Sequence, residues 1–167
     1  MTAVEVVGAI LVVLVLVGWW LSWLATRLDR AHARVERSWA ALDAALVRRA
    51  HAAVTAAGNA DVDPASALLV ADAAAAALEE DLTPGQRELA ESNLTQVLGL
   101  MAWPELTDAG ERVALARRLH NDAVANALAL RRRPVVAIFR LAGRAAEPRA
   151  FEMTAERQLP WAGGIRG

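Results

Sequence analysis

The chain contains no cysteine. That excludes disulfides, thiolate metal sites and cysteine nucleophiles, and it is compatible with a reducing cytoplasm. Lysine is missing as well; all 18 basic residues are arginine, which we attribute to genome composition. Nor is there a strong charge of either sign. The net charge of −1 creates no field that would gather nucleic acid, so none is expected as a partner. Histidine is limited to His32, His51 and His120. His32 and His51 would lie about 28 Å apart on one helix, too far to share a metal. Asp29 is placed to meet His32 at i,i+3, as a surface contact rather than a ligand pair. No Gly-rich phosphate loop, His-Glu-x-x-His or Glu-x-x-His occurs. The serines Ser22, Ser38, Ser66 and Ser92 sit in no nucleophile-elbow motif. With no visible nucleophile, metal or acid–base set, no catalytic, cofactor-binding or metal-binding residue is expected.

What the chain does contain is an uncharged, mostly apolar run from Val6 to Thr26. As a helix it reaches ~32 Å, enough to cross a hydrocarbon core of about 30 Å. A cleaved signal peptide would need basic residues ahead of a shorter core and a small-x-small site just after it. Here no arginine precedes the run, and the nearest such site, Ala31-His32-Ala33, lies beyond Arg27 and Arg30. A buried core helix would rarely stay uncharged for so long in so small a chain. A retained span is therefore expected, with residues 1–26 as anchor. Trp19, Trp20 and Trp23 cluster at one end of it, where indole rings favour the headgroup level. Only Glu5 and the terminal amine flank the other end, whereas Arg27, Arg30, Arg34 and Arg37 follow the tryptophans. Arginine is retained on the cytoplasmic side, so a single-pass topology follows, N-terminus outside and C-terminal domain cytoplasmic.

The pattern after Arg27 is helical. Leu28, Val35 and Leu42 repeat at sevens, with Ala31, Trp39 and Leu46 between them, and no Pro or Gly interrupts Thr26 to Ala57. Trp39 is expected to pack in the core. Gly58-Asn59 and Asp63-Pro64 bound a loop, with Asp63 as N-cap and Pro64 at N1 of the next helix. That helix is Ala-rich; Leu68, Leu69, Ala75 and Leu78 supply its expected apolar face, and acids Glu79, Glu80 and Asp81 crowd its C-terminal end against the dipole. It is expected to be the weakest element. Thr83-Pro84-Gly85-Gln86 reads as a capping box opening a helix with Ala90, Leu94, Val97 and Met101 on one stripe. Trp103-Pro104 ends it. A last helix, capped by Thr107 or Asp108, runs to about Arg133 before Pro134, with Ala109, Ala116, Ala123 and Leu130 at sevens and Val113, Leu119 and Ala127 in support. Within it, His120-Asn121-Asp122 is the densest polar cluster and reads as a buried hydrogen-bonding set that holds helix register.

Charge is uneven along the chain. Asp61 to Glu91 holds eight acids and one Arg; Arg131 to Arg149 holds six Arg and one acid. Solvated faces explain both, and so does mutual or membrane complementarity. Val135 to Leu141 is too short to span a bilayer. It is expected to pack back on the domain, the alternative being the inner leaflet with Arg140 and Arg144 at lipid phosphates. Residues 153–167 are expected to form a disordered tail.

Three stretches in order resemble the LemA family, bacterial proteins with one N-terminal span and a helical bundle. Val35-Glu36-Arg37-Ser38-Trp39-Ala40-Ala41-Leu42-Asp43, followed by Leu46 and Arg48-Arg49, is similar to the family's Val-x-x-Ala-Trp-x-x-Ile-Asp and Leu-x-Arg-Arg. Trp103-Pro104-Glu105-Leu106 is similar to its Tyr-Pro-x-Leu. Arg112, Ala116-Arg117 and Asn121-Asp122-Ala123-Val124 are similar to its Ala-Arg-x-x-Tyr-Asn-x-x-Val. Pro134 and Phe151-Glu152 match its C-terminal segment more loosely, and the likeness covers about Leu24 to Glu152. The chain departs from the pattern at His51-Ala52-Ala53-Val54, where the family has Asp-Leu-Ile-Pro-Asn-Leu, and at His120, which replaces an aromatic. The link between Pro104 and Arg117 is shorter by roughly two heptads, which keeps the stripe in phase.

The resemblance implies an all-α, LemA-like fold: one transmembrane helix, then an antiparallel bundle of three to four helices over residues 27–152. The family has no established enzymatic activity, and neither catalysis nor a cofactor is expected. The expected role is a scaffold or adaptor at the cytoplasmic face of a bacterial membrane. Its expected partners are membrane lipids and an unidentified protein, with homo-oligomerisation left open. Arg48, Arg49, Arg117, Asn121 and Asp122 are the candidate interaction or network residues, with ion pairs inside the bundle as the plainer reading. Trp19, Trp20, Trp23, Arg27 and Arg30 are the membrane-interface candidates. The rival roles are lipid binding or membrane shaping through 134–149 and, a distant third, an enzyme of unknown type.

Overall fold

The computed structural model describes residues 2–59, 61–100, 103–139 and 146–153. Among these residues the secondary structure is all helical: α1 Ala3–Ala57, α2 Pro64–Ala77, α3 Pro84–Gly99, a 3-10 turn Pro104–Leu106, α4 Thr107–Arg131 and α5 Pro134–Ile138. The chain divides into two compact units, Met1–Arg37 with Asp122–Arg149, and Ser38–Asn121 with the segment from Ala150.

In the first unit, α1 opens with Glu5 accepting a hydrogen bond from the Thr2 amide at 2.9 Å. This satisfies one of the donors that every helix N-terminus leaves orphaned. No other part of the described chain covers the run that follows; Val4 to Val17 is exposed throughout. α1 is the one described helix long and apolar enough to cross a membrane. Its first buried residues are Leu24 and Leu28, one turn apart, and they form an apolar cluster with Leu130, Val135 and Val136. Pro134 lacks an amide hydrogen and cannot continue α4, so the chain restarts as α5 with proline at a position where no donor is missed. After Pro134, Val136 packs into this cluster, while Ile138 and Phe139 remain exposed. Arg140 and Arg144 lie outside the described residues.

In the second unit, local chemistry starts α2 and α3 where the residues indicated, whereas α4 follows directly on the 3-10 turn, with Thr107 and Asp108 inside the helix rather than capping it. The Asp63 carboxylate accepts from the Ser66 amide at 3.0 Å. The Gln86 side-chain carbonyl accepts from both the amide and the hydroxyl of Thr83. α2 and α3 pack on each other, and with the end of α1 they enclose a core built largely from alanine: Ala50 and Ala53 from α1, Ala73, Ala74 and Ala77 from α2, joined by Val70, Leu94 and Leu106. Small side chains let helix backbones approach closely, at the expense of the apolar area each residue removes from water. A second cluster joins Leu42, Ala45 and Leu46 of α1 to Val113, Phe151 and Met153.

Several expected positions are corrected. The buried face of α2 is Val70, Ala73, Ala74 and Ala77; of the expected face, Leu68 and Leu69 are 71% and 56% exposed and Ala75 is exposed, while Leu78 packs against the core. Leu119 is exposed as well, and the buried residue beside it is His120. Trp39 lies at the surface rather than in the core, stacked against His120 and Phe151. Met153, where the tail was expected to start, is buried, and residues 154–167 lie outside the described residues, as does Met101.

Candidate functional site

The second unit carries its charge inside. Glu91 is fully buried and Arg49 is 4% exposed. Arg49 lies on α1 between the cluster of Leu42, Ala45 and Leu46 and the alanine core that begins at Ala50. Arg87, Glu91 and Thr95 succeed one another at i, i+4 and i+8 on α3, a spacing that stacks them on one face. One Glu91 carboxylate oxygen accepts from Arg49 Nη2 at 2.7 Å, and the other lies 3.3 Å from Arg87 Nε as an ionic contact without hydrogen-bond geometry. Arg49 also donates from Nη1 to Thr95 Oγ1 at 2.8 Å and from Nη2 to the Glu91 carbonyl at 3.3 Å. The Thr95 hydroxyl in turn donates to that same carbonyl. Arg87 Nη2 reaches Asp43 on α1 at 2.9 Å, where the side chain is half exposed. Two arginines and two acids leave the set neutral.

A buried ion pair gains little over an apolar pair of the same shape, because desolvating both charges offsets their attraction. Removing one partner is a different matter, since it strands a charge in the core. Both Glu91 oxygens face guanidinium groups and neither faces solvent, so the set holds α3 against α1 and offers no open position to a substrate.

A second polar set surrounds His120. Its Nδ1 lies 3.2 Å from Ser38 Oγ, and its ring packs on Trp39 with centroids 5.4 Å apart. By distance alone this is a nucleophile beside a base. His120 is buried beneath Trp39, while Ser38 is half-buried. Asn121 works on backbone instead: its Oδ1 accepts from the Phe151 amide at 2.9 Å and its Nδ2 donates to the Phe151 carbonyl at 3.1 Å. This two-point clamp fastens the returning segment to α4.

The candidate residues therefore separate. Arg49 is buried in the network and Arg48 is exposed. Arg117 is half buried, and burial lowers its pKa from the usual arginine value, partly countered by the nearby Glu152 carboxylate and reinforced by Arg118. Asn121 forms the clamp. Asp122 is exposed rather than part of a buried set. Asp29 is not the partner of His32; the His32 ring lies 3.0 Å from the Leu28 carbonyl and 3.3 Å from Arg131. Among the described residues no three His, Asp or Glu side chains come together as metal ligands do. The reading from sequence missed Glu91, Arg87, Thr95 and Ser38. The available signal was the i,i+4 pair Arg87 and Glu91 on a helix with few apolar residues.

In the first unit, Trp19, Trp20 and Trp23 are all exposed, and the Arg27 guanidinium stacks over the Trp23 ring at 5.5 Å. One turn further along, a cleft of about 440 Å³ opens between α1 and α4, lined by Arg27, Arg30, Arg34 and Arg133. The chain matches no family model, no curated protein and no solved structure.

Proposed function

We propose that this protein is a membrane-anchored, non-catalytic helical scaffold or adaptor at the cytoplasmic face of a bacterial membrane, similar in plan to the LemA family. The observation that carries the reading is the bareness of α1 from Val4 to Val17, a helical run of exposed Val, Leu and Ile that no described residue covers. In water such a surface would associate or aggregate; in hydrocarbon it needs no cover. The tryptophans follow at the distance where headgroups begin, and the arginines follow them on the side that the positive-inside rule assigns to the cytoplasm. The antiparallel bundle of the LemA plan is the arrangement that short connections between successive helices favour.

The scaffold role is supported by how the polar groups are used. Arg49 and Glu91 are consumed in holding α1 and α3 together and Asn121 in fastening the Phe151 segment to α4, whereas Arg48 and Asp122 are exposed and open to a partner protein. The test is crosslinking of the full chain in native membranes, with identification of what is captured. A reproducible protein partner lost in Arg48→Ala or Asp122→Ala supports the role. Release of the chain by mild salt, or a periplasmic reporter fused at Gly167, would overturn the anchor or its orientation.

A further inference from the structure

We propose that the arginine-lined cleft between α1 and α4 is a binding site for the headgroup of an anionic phospholipid, taken from the leaflet into which α1 descends. The proposal rests on reading residues 6–26 as a membrane span.

Two helix faces make the cleft. Arg27, Arg30 and Arg34 occupy i, i+3 and i+7 of α1, Ala123, Asn126 and Leu130 form the same kind of stripe on α4, and Arg133 joins them from the turn just after α4. Ala31 and Ala123 lie between them, and their small side chains leave the volume open. Its size, about 440 Å³, falls in the range of small-ligand sites. No acid lines it. Among the described residues none of Arg30, Arg34 and Arg133 is ion-paired to a carboxylate. The C-terminus of α4 brings about half a negative charge to this end, far less than four guanidinium groups. Asn126 adds an uncharged amide.

Four exposed cations line one cleft, none of them ion-paired to a carboxylate among the described residues; they repel one another, and an anion relieves that repulsion. Guanidinium groups match phosphate by planar, two-pronged hydrogen bonding. The position chooses the source of the phosphate. Arg27 follows the last residue of the apolar run and stacks on Trp23, so it marks the interface. Arg34 lies seven residues further, ~10 Å along the helix, about the depth of the headgroup layer and its aqueous edge. A lipid whose chains lie beside the exposed Trp19, Trp20 and Trp23 would place its phosphate at the mouth of the cleft. Basic pockets at this level of a membrane protein suit anionic headgroups. These residues are distinct from the basic segment after Pro134.

The experiment is native mass spectrometry of the full chain released from mixed micelles holding phosphatidylglycerol and phosphatidylcholine in equal amounts. The wild-type chain is expected to keep phosphatidylglycerol in clear excess. Arg30→Gln/Arg34→Gln/Arg133→Gln is expected to reduce that excess on the order of 100-fold, with helical circular dichroism unchanged, while Arg48→Gln leaves it intact. Equal retention of the two lipids, or a triple variant that retains phosphatidylglycerol as well as wild type does, would overturn the proposal. Should millimolar inorganic phosphate displace the lipid from the wild type, the site is one for free phosphate and the lipid assignment falls. A chain that resists alkaline extraction but shows no lipid preference sinks this inference alone; a chain that washes off in salt sinks the anchor reading beneath it.

Discussion

Arg49 and Glu91 show how differently a side chain reads alone and in place. Each is 0–5% exposed at the side chain, and each is the other's nearest counter-charge. Arg49→Met leaves Glu91 with Arg87 alone, and Glu91→Gln leaves two guanidinium groups facing an uncharged amide. Either substitution is expected to destabilise the second unit by about 3–5 kcal/mol. The double variant Arg49→Met/Glu91→Leu should recover most of that loss. Urea titration of the full chain in mild detergent, followed by helical circular dichroism, measures all three. Asn121→Ala removes both hydrogen bonds to Phe151 and is expected to cost about 1–3 kcal/mol by the same titration.

Arg117 calls for a sign argument. Burial lowers its pKa in the folded chain, so on raising the pH the folded state releases this proton first and the unfolded state binds more protons. Its contribution to stability therefore rises with pH, but only in the strongly alkaline window below the usual arginine value. Arg117→Gln should leave the slope of stability against pH unchanged between about pH 5 and 9, which urea midpoints at several pH values will check.

At the scale of the element, α2 is the informative case. Leu68 and Leu69 are its largest side chains and point to solvent, while alanines and Val70 fill its buried face. Leu68→Ser/Leu69→Ser is expected to change stability by no more than ~0.5 kcal/mol per site. Ala74→Leu, at a fully buried position between helices, is expected to cost about 1–3 kcal/mol through overpacking. Opposite results in thermal unfolding would restore the face that hydrophobicity alone suggests. The starts of α2 and α3 and the break at Pro134 were legible because a cap or a proline acts within four residues of itself. The face of α2 was not, because alanine on every side gives no periodic contrast. Close helix approach then favours the small residues over the large ones.

For the whole molecule, the deciding property is the bare apolar stretch of α1. Leu14 sits near its middle and is exposed. Leu14→Arg places a cation where insertion costs about 2.5–3.5 kcal/mol and is expected to reduce the fraction of chain that resists alkaline extraction. Moving the positive charge is a separate test: Arg27→Gln/Arg30→Gln/Arg34→Gln with three arginines added ahead of Glu5 should invert a reporter fused at Gly167. An unchanged reporter would remove the argument from arginine position.

What the residues determined unaided was local or additive: a run long and apolar enough to cross a bilayer, tryptophans and arginines at one end of it, helix starts at Asp63 and Thr83, and an all-helical chain. These depend on residues a few positions apart, and a linear reading carries such distances. Tertiary structure alone decided which polar groups would meet. Arg49 and Glu91 are 42 residues apart and Asn121 and Phe151 are 30 apart. A charged or amide side chain is equally at home in water or in a matched buried pair, and only the packing of helices around it selects between them. The convergence of Arg133 on Arg27, Arg30 and Arg34 has the same origin.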